Sequence, residues 1–557
     1  MMIKHIKKNI FSKKMIYMLC FIALNFLDVM RDFQFEFFQI QHRVYGFKHI
    51  LPGYRLGDIW LIVANCSGIF MAIIVFSAYS FRKFVNVLNG IWVGICLSAM
   101  VILPFVRTGK YGTIMIQEEL ALFNICWIGI LVIYYIKAIV KKEIKIHIDK
   151  VGAVWILLML CMVVSMARAK VWPLWYLFMF GVFYLTKYKK EDYNDLFDAL
   201  LDGSIIAFLI MQLGAFFMRP FNDMRYQGIH TNWNISALYY VIILIMCLCK
   251  LHVLQMQGDK KKIKKIYYLI VAGVSLSLQF MTGCRTAWIT TVLLVVIYGL
   301  IVVRKIWKMS WKQVFLSGVV LAATMLLTFV PVFSMARWMP TILPVRMWSV
   351  GEYNVAVNLE GDLFKDDNYT EMAVFLDYTV GRIWNTFFPK KEEAVSLSNT
   401  DSTDVKTESI NVETTGHKDI DKITNAKIPS WIKDPAMQQR FRVYSAYLHD
   451  MTWLGNGPES DLARNAYHAH NLWIQIGYFY GIPAGILLII LSVMLVVRGF
   501  WQVKSKLENP YVIVTLLITV LFFVYGLTEV VWNPGQIILF LVFFLQYPHG
   551  KQDVLAE

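Results

Sequence analysis

The stretch TAWITTVLLVVIYGLIVV, residues 286–303, carries no charged side chain and decides the class of fold. A helix needs ~20 mostly apolar residues to cross the hydrocarbon core of a bilayer, so this run predicts a membrane-spanning helix. Comparable runs recur on both sides of it. We predict about 12–14 transmembrane helices in an all-α polytopic membrane protein. The runs lie near 15–30, 58–80, 85–106, 118–140, 151–168, 171–187, 199–218, 234–250, 266–283, 286–303, 313–334, 472–497, 510–528 and 532–547.

The composition fits this class and argues against a nucleic-acid-binding protein. The chain is 58% hydrophobic and 17% charged, whereas soluble domains average ~45–50% and ~25%. The net charge of +16 could suggest nucleic acid. However, the lysines and arginines lie in short clusters between apolar runs, which is what the positive-inside rule produces. No nucleic-acid partner is therefore expected.

Charge also predicts the orientation of the helices. With the N-terminus inside, the cytoplasmic connections include the basic segments 141–150, 250–265 and 304–312. Short cytoplasmic loops are rich in lysine and arginine. Both termini are therefore predicted to be cytoplasmic, and the long polar segment 335–469 is predicted to be extracytoplasmic.

This topology divides the chain into three parts. Residues 1–334 are predicted to form an N-terminal bundle of about eleven transmembrane helices. Residues 335–469 form one large extracytoplasmic loop, and residues 470–557 contain the last transmembrane helices and a short cytoplasmic tail. Within the loop, the aromatic-rich flanks 335–388 and 430–469 are expected to fold as short helices. Residues near 389–428 are rich in Ser, Thr, Asp and Lys and are expected to be a mobile insertion.

Neither metal nor cofactor is expected. Nearly all of the eight cysteines lie inside apolar runs, where free cysteine behaves as a small hydrophobe. No zinc-binding spacing is visible. His468 and His470 are two residues apart, so their side chains would point away from each other on a helix.

Three arginines fall in loops that are predicted to lie outside. Arg219 and Arg225 belong to the loop RPFNDMRYQGIHTNW, and Arg285 belongs to the tip TGCRT. The planar guanidinium group offers paired donors and a permanent charge, which suits a phosphate or pyrophosphate. The alternative is that these side chains reach for lipid headgroups.

The end of the long loop supplies further candidates. His470 could accept a proton from a sugar hydroxyl, and His468 and Asn471 could bind or orient the sugar. Glu459, after the turn GNGP, could bind sugar hydroxyls or act as a base. The alternatives are structural hydrogen bonds for the histidines and a solvated turn for the acid.

Four segments resemble the O-antigen ligase and O-antigen polymerase superfamily of membrane glycosyltransferases. In HAHNLWIQIGYFYGIPAGILLII, residues 468–490, His470 and Asn471 are followed by nine residues and Gly481, with Ala484 at the family's second glycine position. The other three are RFRVYSAYLHDMTWLGNGPES, TGCRTAWITTVLL and GIHTNWNISALYY. The resemblance covers about residues 200–545.

The resemblance implies a GT-C-like enzyme of the bacterial plasma membrane. Such enzymes take a glycan from an undecaprenyl-diphosphate carrier and need no metal. Carried over by position, His470 would be the base or the residue that orients the acceptor, and Arg285 with Arg225 or Arg219 would hold the diphosphate. Arg440 or Arg442 would supply a further positive charge for the diphosphate. Flippase and chain-length regulator proteins are possible partners, besides membrane lipids.

Two functions within this family stay open, and two lie outside it. The first is polymerisation of lipid-linked oligosaccharide repeats into a surface polysaccharide such as O-antigen, capsule or exopolysaccharide. The second is ligase-type transfer of a glycan to a lipid or protein acceptor. A transporter or flippase of lipid-linked sugar would also need many helices and arginines, but it usually shows similar halves. A membrane sensor or scaffold is the fourth class.

Overall fold

The computed structural model describes most of the chain outside the termini and the long loop. It covers residues 12–44, 56–78, 83–106, 113–142, 148–165 and 371–387. It also covers 190–339, except 219, 220, 223, 224, 231 and 259–261, and 435–545, except 458, 459, 461, 463–467, 507, 508 and 533–535.

The first half of the described chain is almost wholly helical. A two-stranded antiparallel hairpin follows the sixth helix and pairs Phe221 with Tyr226 and Asn222 with Arg225. The elements up to the hairpin are α1 (Lys13–Val44), α2 (Leu56–Ala78), α3 (Val87–Val106), α4 (Thr113–Val140), α5 (Lys150–Val164), α6 (Lys190–Met218), β1 (Phe221–Asn222) and β2 (Arg225–Tyr226).

The second half continues with helices and one π-helical segment, Gly299–Ile306. The elements are α7 (Trp233–Met256), α8 (Lys262–Met281), α9 (Arg285–Tyr298) with the π-helical segment after it, α10 (Trp311–Trp338), α11 (Met372–Phe387), α12 (Pro435–His449), α13 (Leu472–Tyr480), α14 (Ile482–Ser505), α15 (Val512–Gly526) and α16 (Ile537–Leu545).

The protein is an all-α, multi-pass membrane protein. Seven helical stretches of the described chain are long and apolar enough to cross a bilayer, and five shorter apolar helices accompany them. The run predicted at 171–187 lies outside the described residues. The prediction of one helix at 472–497 is wrong, because the chain breaks at Gly481 into α13 and α14. The flanks of the long loop do contain helices, α11 and α12, while the predicted insertion at 389–428 lies outside the described residues.

Helix α7 is the centre of the bundle. Of its apolar window, 94% is buried inside the protein, and α6, α8 and α15 pack around it. A helix that is apolar on every side is stable only when neighbours cover all of its faces. The first residues of α7 lie at the end of the bundle that carries the candidate site residues. The other end of α7 carries Lys250.

The Lys250 end is fixed by a partly buried ionic cluster. The Lys250 ammonium donates to Asp198 at 2.9 Å and to Asp202 at 2.8 Å. Lys14 of α1 also donates to Asp198, and the Tyr268 hydroxyl donates to Asp202. Each charge in the cluster has an opposite partner, as buried charges require. The cluster thus ties α1, α6, α7 and α8 together at the end opposite to the candidate site.

The turn that follows α12 packs against the chain at Gly481, where α13 ends and α14 begins. Gly481 has φ of 101° and lies against the carbonyl of Trp453, where a Cβ would overlap that oxygen. The backbone N–H of Asn456 donates to the Tyr478 carbonyl at 2.8 Å, and that of Ile482 donates to the Thr452 carbonyl at 3.1 Å. The glycine of the His-Asn motif therefore fixes α12 against α13 and α14.

Replacing Gly481 by alanine is expected to lower the stability of the protein by about 1–3 kcal/mol or more, because alanine is strained at positive φ and overlaps the Trp453 carbonyl. The thermal melting temperature in detergent measures this effect. Gly214→Ala is the matched control, since Gly214 lies inside α6 with open space around it. Equal melting temperatures for the two variants would show that the close contact at Gly481 is not needed.

Candidate functional site

A buried carboxylate, Glu529, is the centre of the candidate site. Its side chain is only 7% exposed and lies in the turn between α15 and α16. The Asn234 side-chain amide donates to Oε1 at 2.8 Å. Arg440 Nη2 lies 3.9 Å from Oε1, and His470 Nδ1 lies 3.9 Å from Oε2. One carboxylate therefore links the start of α7, helix α12 and the His-Asn motif.

Arg225 is held rigidly beside this carboxylate. Its Nε donates to the Thr282 carbonyl at 2.7 Å, and its Nη2 donates to the Asn234 side-chain oxygen at 3.3 Å. The guanidinium group also lies over the Trp233 ring, 4.2 Å from the centroid. Asn234 thus bridges Arg225 and Glu529, and the arginine is fixed in position before any ligand arrives.

The backbone that carries Arg225 is itself anchored in the core. The Tyr226 ring is fully buried, and its hydroxyl accepts from the Gln212 amide at 3.0 Å. The Tyr240 hydroxyl donates to the Gln212 oxygen at 2.8 Å. Because these polar groups satisfy each other, the hairpin has a single well-defined position.

Helix α12 presents two arginines to different surroundings. Arg440 is partly buried, with its side chain 28% exposed, and faces Glu529. Arg442 is exposed. Residues two apart on an α-helix point to different sides, so only one of the two can face a given partner. The structure therefore brings Arg440 to Glu529, whereas Arg442 is exposed.

His470 sits in a strained backbone conformation with its ring facing the carboxylate. Its φ is 49°, which is uncommon for a residue other than glycine. Nδ1 is enclosed and makes no hydrogen bond within the described part of the chain, while the side chain as a whole is 30% exposed. The ring therefore turns Nδ1 towards Glu529, and its exposure comes from the rest of the side chain.

Neighbours on both sides fix His470 in this conformation. The Asn471 side chain caps α13 by accepting from the N–H groups of Trp473 and Ile474, and it donates to the Leu527 carbonyl at 3.2 Å. The Tyr444 hydroxyl donates to the His470 carbonyl at 3.1 Å. Burial raises the pKa of this hydroxyl, so it stays protonated and remains a donor.

Arg285 is the first residue of α9, at the same end of the bundle. Next to it, the Thr286 hydroxyl accepts from Thr528, which directly precedes Glu529. On its other side lies Cys284, whose thiol is buried, and burial raises the pKa of that thiol. A neutral buried thiol is a poor nucleophile, so Cys284 is not suited to covalent catalysis.

Three helix N-termini add to the positive potential of the site. Helices α7, α9 and α13 begin at Trp233, Arg285 and Leu472, next to the residues described above. Each N-terminus carries the positive end of the helix dipole. Together with Arg225, Arg285 and Arg440, they add positive potential around the carboxylate of Glu529. This end of the bundle is therefore suited to an anion.

Of the remaining predicted residues, His468 lies at the edge of this cluster, and the others lie outside the described residues. His468 is exposed, and its ring centroid lies 5.6 Å from that of His470. Arg219 and Glu459 lie outside the described residues. Within the described chain, no three His, Cys, Asp or Glu side chains are grouped as metal ligands would be.

Sequence reasoning missed Glu529 and Asn234. The available signal was a carboxylate in TEVVW, the short connection between the last two apolar runs, on the side predicted to be outside. An ionisable residue at the edge of a membrane span is costly and is therefore a candidate for function.

No family model, characterised protein or solved structure matches this chain. The function must therefore be argued from the site itself.

Proposed function

We propose that this protein is a membrane glycosyltransferase that polymerises undecaprenyl-diphosphate-linked oligosaccharide repeats into a surface polysaccharide. The reaction would take place on the outer face of the bacterial plasma membrane, in a GT-C-like fold. The observation that carries the proposal is the cluster of His470, Glu529, Arg440 and Arg225 at one end of a membrane helix bundle. A base next to several fixed cations suits glycosyl transfer from a diphosphate.

The bond changes follow from the groups present. The acceptor hydroxyl oxygen attacks the anomeric carbon of the donor sugar, and the bond from that carbon to the diphosphate oxygen breaks. The departing diphosphate keeps the bonding electron pair. The proton of the hydroxyl moves to His470, and Nε2 is the acceptor because Nδ1 faces Glu529. No metal and no nucleotide sugar take part.

Glu529 would act as a positioning residue for the base. The distance of 3.9 Å from its Oε2 to His470 Nδ1 is longer than a hydrogen bond. Catalytic hydrogen bonds are often long without substrate and shorten in the complex. A shortened bond would fix the Nδ1–H tautomer and leave Nε2 free to accept the proton.

The arginines and helix N-termini would stabilise the leaving group. Negative charge grows on the diphosphate as the glycosidic bond breaks. Donors that are already in place stabilise that charge without reorganising, and they are most effective where water is excluded. Arg225 meets this requirement, because its guanidinium is fixed by the Thr282 carbonyl, Asn234 and the Trp233 ring.

Replacing Glu529 by glutamine is expected to lower kcat by about 10- to 100-fold, by analogy with groups that orient metal-bound histidines. The change in KM should be small, because the carboxylate touches the base and not the substrate. Steady-state kinetics with the lipid-linked donor measure both constants. Glu371→Gln, at an exposed carboxylate before α11, is the matched control. An unchanged kcat in folded Glu529→Gln protein would remove Glu529 from the mechanism.

The length of the product distinguishes polymerase from ligase. The purified protein is incubated in detergent with undecaprenyl-diphosphate oligosaccharide from the native host, and the glycans are separated by size. The proposal predicts a ladder of glycans that grows by whole repeats. Transfer of one block to a different lipid or protein acceptor would identify a ligase. An intact donor that crosses the bilayer of liposomes would identify a flippase.

A further inference from the structure

An apolar cavity lies at the end of the bundle opposite to the candidate functional site. Its volume is about 750 Å³, within the roughly 300–1,000 Å³ range of ligand pockets. It opens between α7, α8, the π-helical segment and the first turns of α10. The walls are almost entirely aliphatic and aromatic, and include Leu248, Leu269, Val303, Trp307 and Leu321.

The cavity forms where the helix widens into the π-helical segment and the chain then reverses direction into α10. The Trp307 N–H donates to the Val302 carbonyl at 2.8 Å, which closes the π-helical segment Gly299–Ile306. The Trp307 indole N–H donates to His252 of α7 at 3.1 Å. A capping box of Ser310 and Gln313 then starts α10. Such π-helical segments occur frequently at functional sites.

The surface around the cavity is of the kind that faces lipid. Leu300, Phe315 and Leu316 line the cavity and are 44%, 75% and 55% exposed. Large apolar side chains with this exposure, on stretches long and apolar enough to span a bilayer, lie against hydrocarbon. Because hydrocarbon chains surround the opening, the chemistry that fits the cavity is an acyl chain.

The rim of the cavity is basic. Lys308 lies between the lining residues Trp307 and Met309, and Lys312 directly precedes the lining residue Gln313. Lys305, Lys308 and Lys312 are all exposed, and within the described chain none of the three makes an ion pair. Arg304 instead donates to the Met309 carbonyl at 2.8 Å, which holds the turn in place.

We propose that this cavity and its lysine rim form a binding site for an anionic diacyl phospholipid. One acyl chain fills the apolar cavity, and the headgroup phosphate binds Lys308 and Lys312, with Lys305 nearby. Positive charge next to a membrane span attracts anionic lipid. The inference does not depend on the proposed catalytic function, because it uses other residues at the other end of the bundle.

Native mass spectrometry of the full-length protein in detergent tests the site, with dioleoyl phosphatidylglycerol and dioleoyl phosphatidylcholine as probes. We expect wild type to retain phosphatidylglycerol in preference to phosphatidylcholine. The triple variant K305Q/K308Q/K312Q should bind phosphatidylglycerol on the order of 100-fold more weakly, as expected when three lysines next to an anionic lipid are removed. The matched control is K141Q/K142Q/K504Q, which removes three exposed lysines outside the cavity rim and includes Lys142, whose φ is positive like that of Lys308.

A second variant tests the cavity itself. Gly318 lines the cavity and has open space where a Cβ would lie, so the side chain of Gly318→Leu has room to enter the cavity and occupy part of it. We expect this variant to fold and to bind both lipids more weakly than wild type. Gly94→Leu, at an equally open position on α3, is the control. If the rim variant keeps the preference for phosphatidylglycerol, or Gly318→Leu retains as much lipid as Gly94→Leu, the proposal is wrong.

Discussion

Replacing His470 by alanine is expected to reduce glycan transfer by about 100- to 10,000-fold, the range that a positioned general base contributes. The loss should appear in kcat, because the acceptor hydroxyl remains a poor nucleophile without a group to take its proton. The measurement is the initial rate of release of undecaprenyl diphosphate from the purified variant.

The control for this variant is His468→Ala. His468 is exposed and only two residues away, so a general effect of altering the turn before α13 would appear in both variants. We expect His468→Ala to lower the rate much less than His470→Ala does, because it leaves the proposed base in place. Equal rates for wild type and folded His470→Ala protein would contradict the assignment of the base.

Replacing Arg440 by glutamine is expected to lower kcat by about 100- to 1,000-fold, as loss of one charge-stabilising group in a partly dry site does. Arg440 is partly buried and 3.9 Å from Glu529. Its loss would remove one positive charge from the site proposed to bind the diphosphate. It would also remove a positive neighbour of the negatively charged Glu529. Single-turnover rates with the lipid-linked donor measure the effect on the chemical step.

Arg442→Gln provides the comparison for this prediction. It removes the same charge from the same helix, but from an exposed position. A structural or long-range electrostatic effect would lower the rate in both variants, whereas a direct effect on the leaving group would appear only in Arg440→Gln. An equal loss of rate in both variants would show that neither arginine acts directly on the diphosphate.

The membrane architecture could be predicted from the sequence because a bilayer imposes simple requirements. Helices such as α7 and α10 can be predicted from the length and apolar composition of the sequence alone. Their observed bounds fall near the predicted runs 234–250 and 313–334. The break at Gly481 could not be predicted in this way. Its φ of 101° results from the approach of the Trp453 carbonyl, a contact between residues that are far apart in sequence.

The candidate site could be predicted only in part, for a related reason. Arg225 and His470 are polar residues at the edges of apolar runs, so the sequence marks them. The choice between Arg440 and Arg442 depends on which face of α12 packs inwards, which α13 and the turn at Asn456 decide. Glu529 has no local motif, and its importance arises from partners that come from three distant segments.

The most direct test of the central claim is to follow carrier release and bond formation together. Purified wild-type protein in detergent is given undecaprenyl-diphosphate oligosaccharide, and free undecaprenyl diphosphate and new glycosidic linkages are quantified from the same samples. Our account predicts that one carrier diphosphate is released for each linkage formed, without added metal or nucleotide. If the donor stays intact under these conditions while the same protein moves it across liposome membranes, the protein is a transporter and the account is wrong.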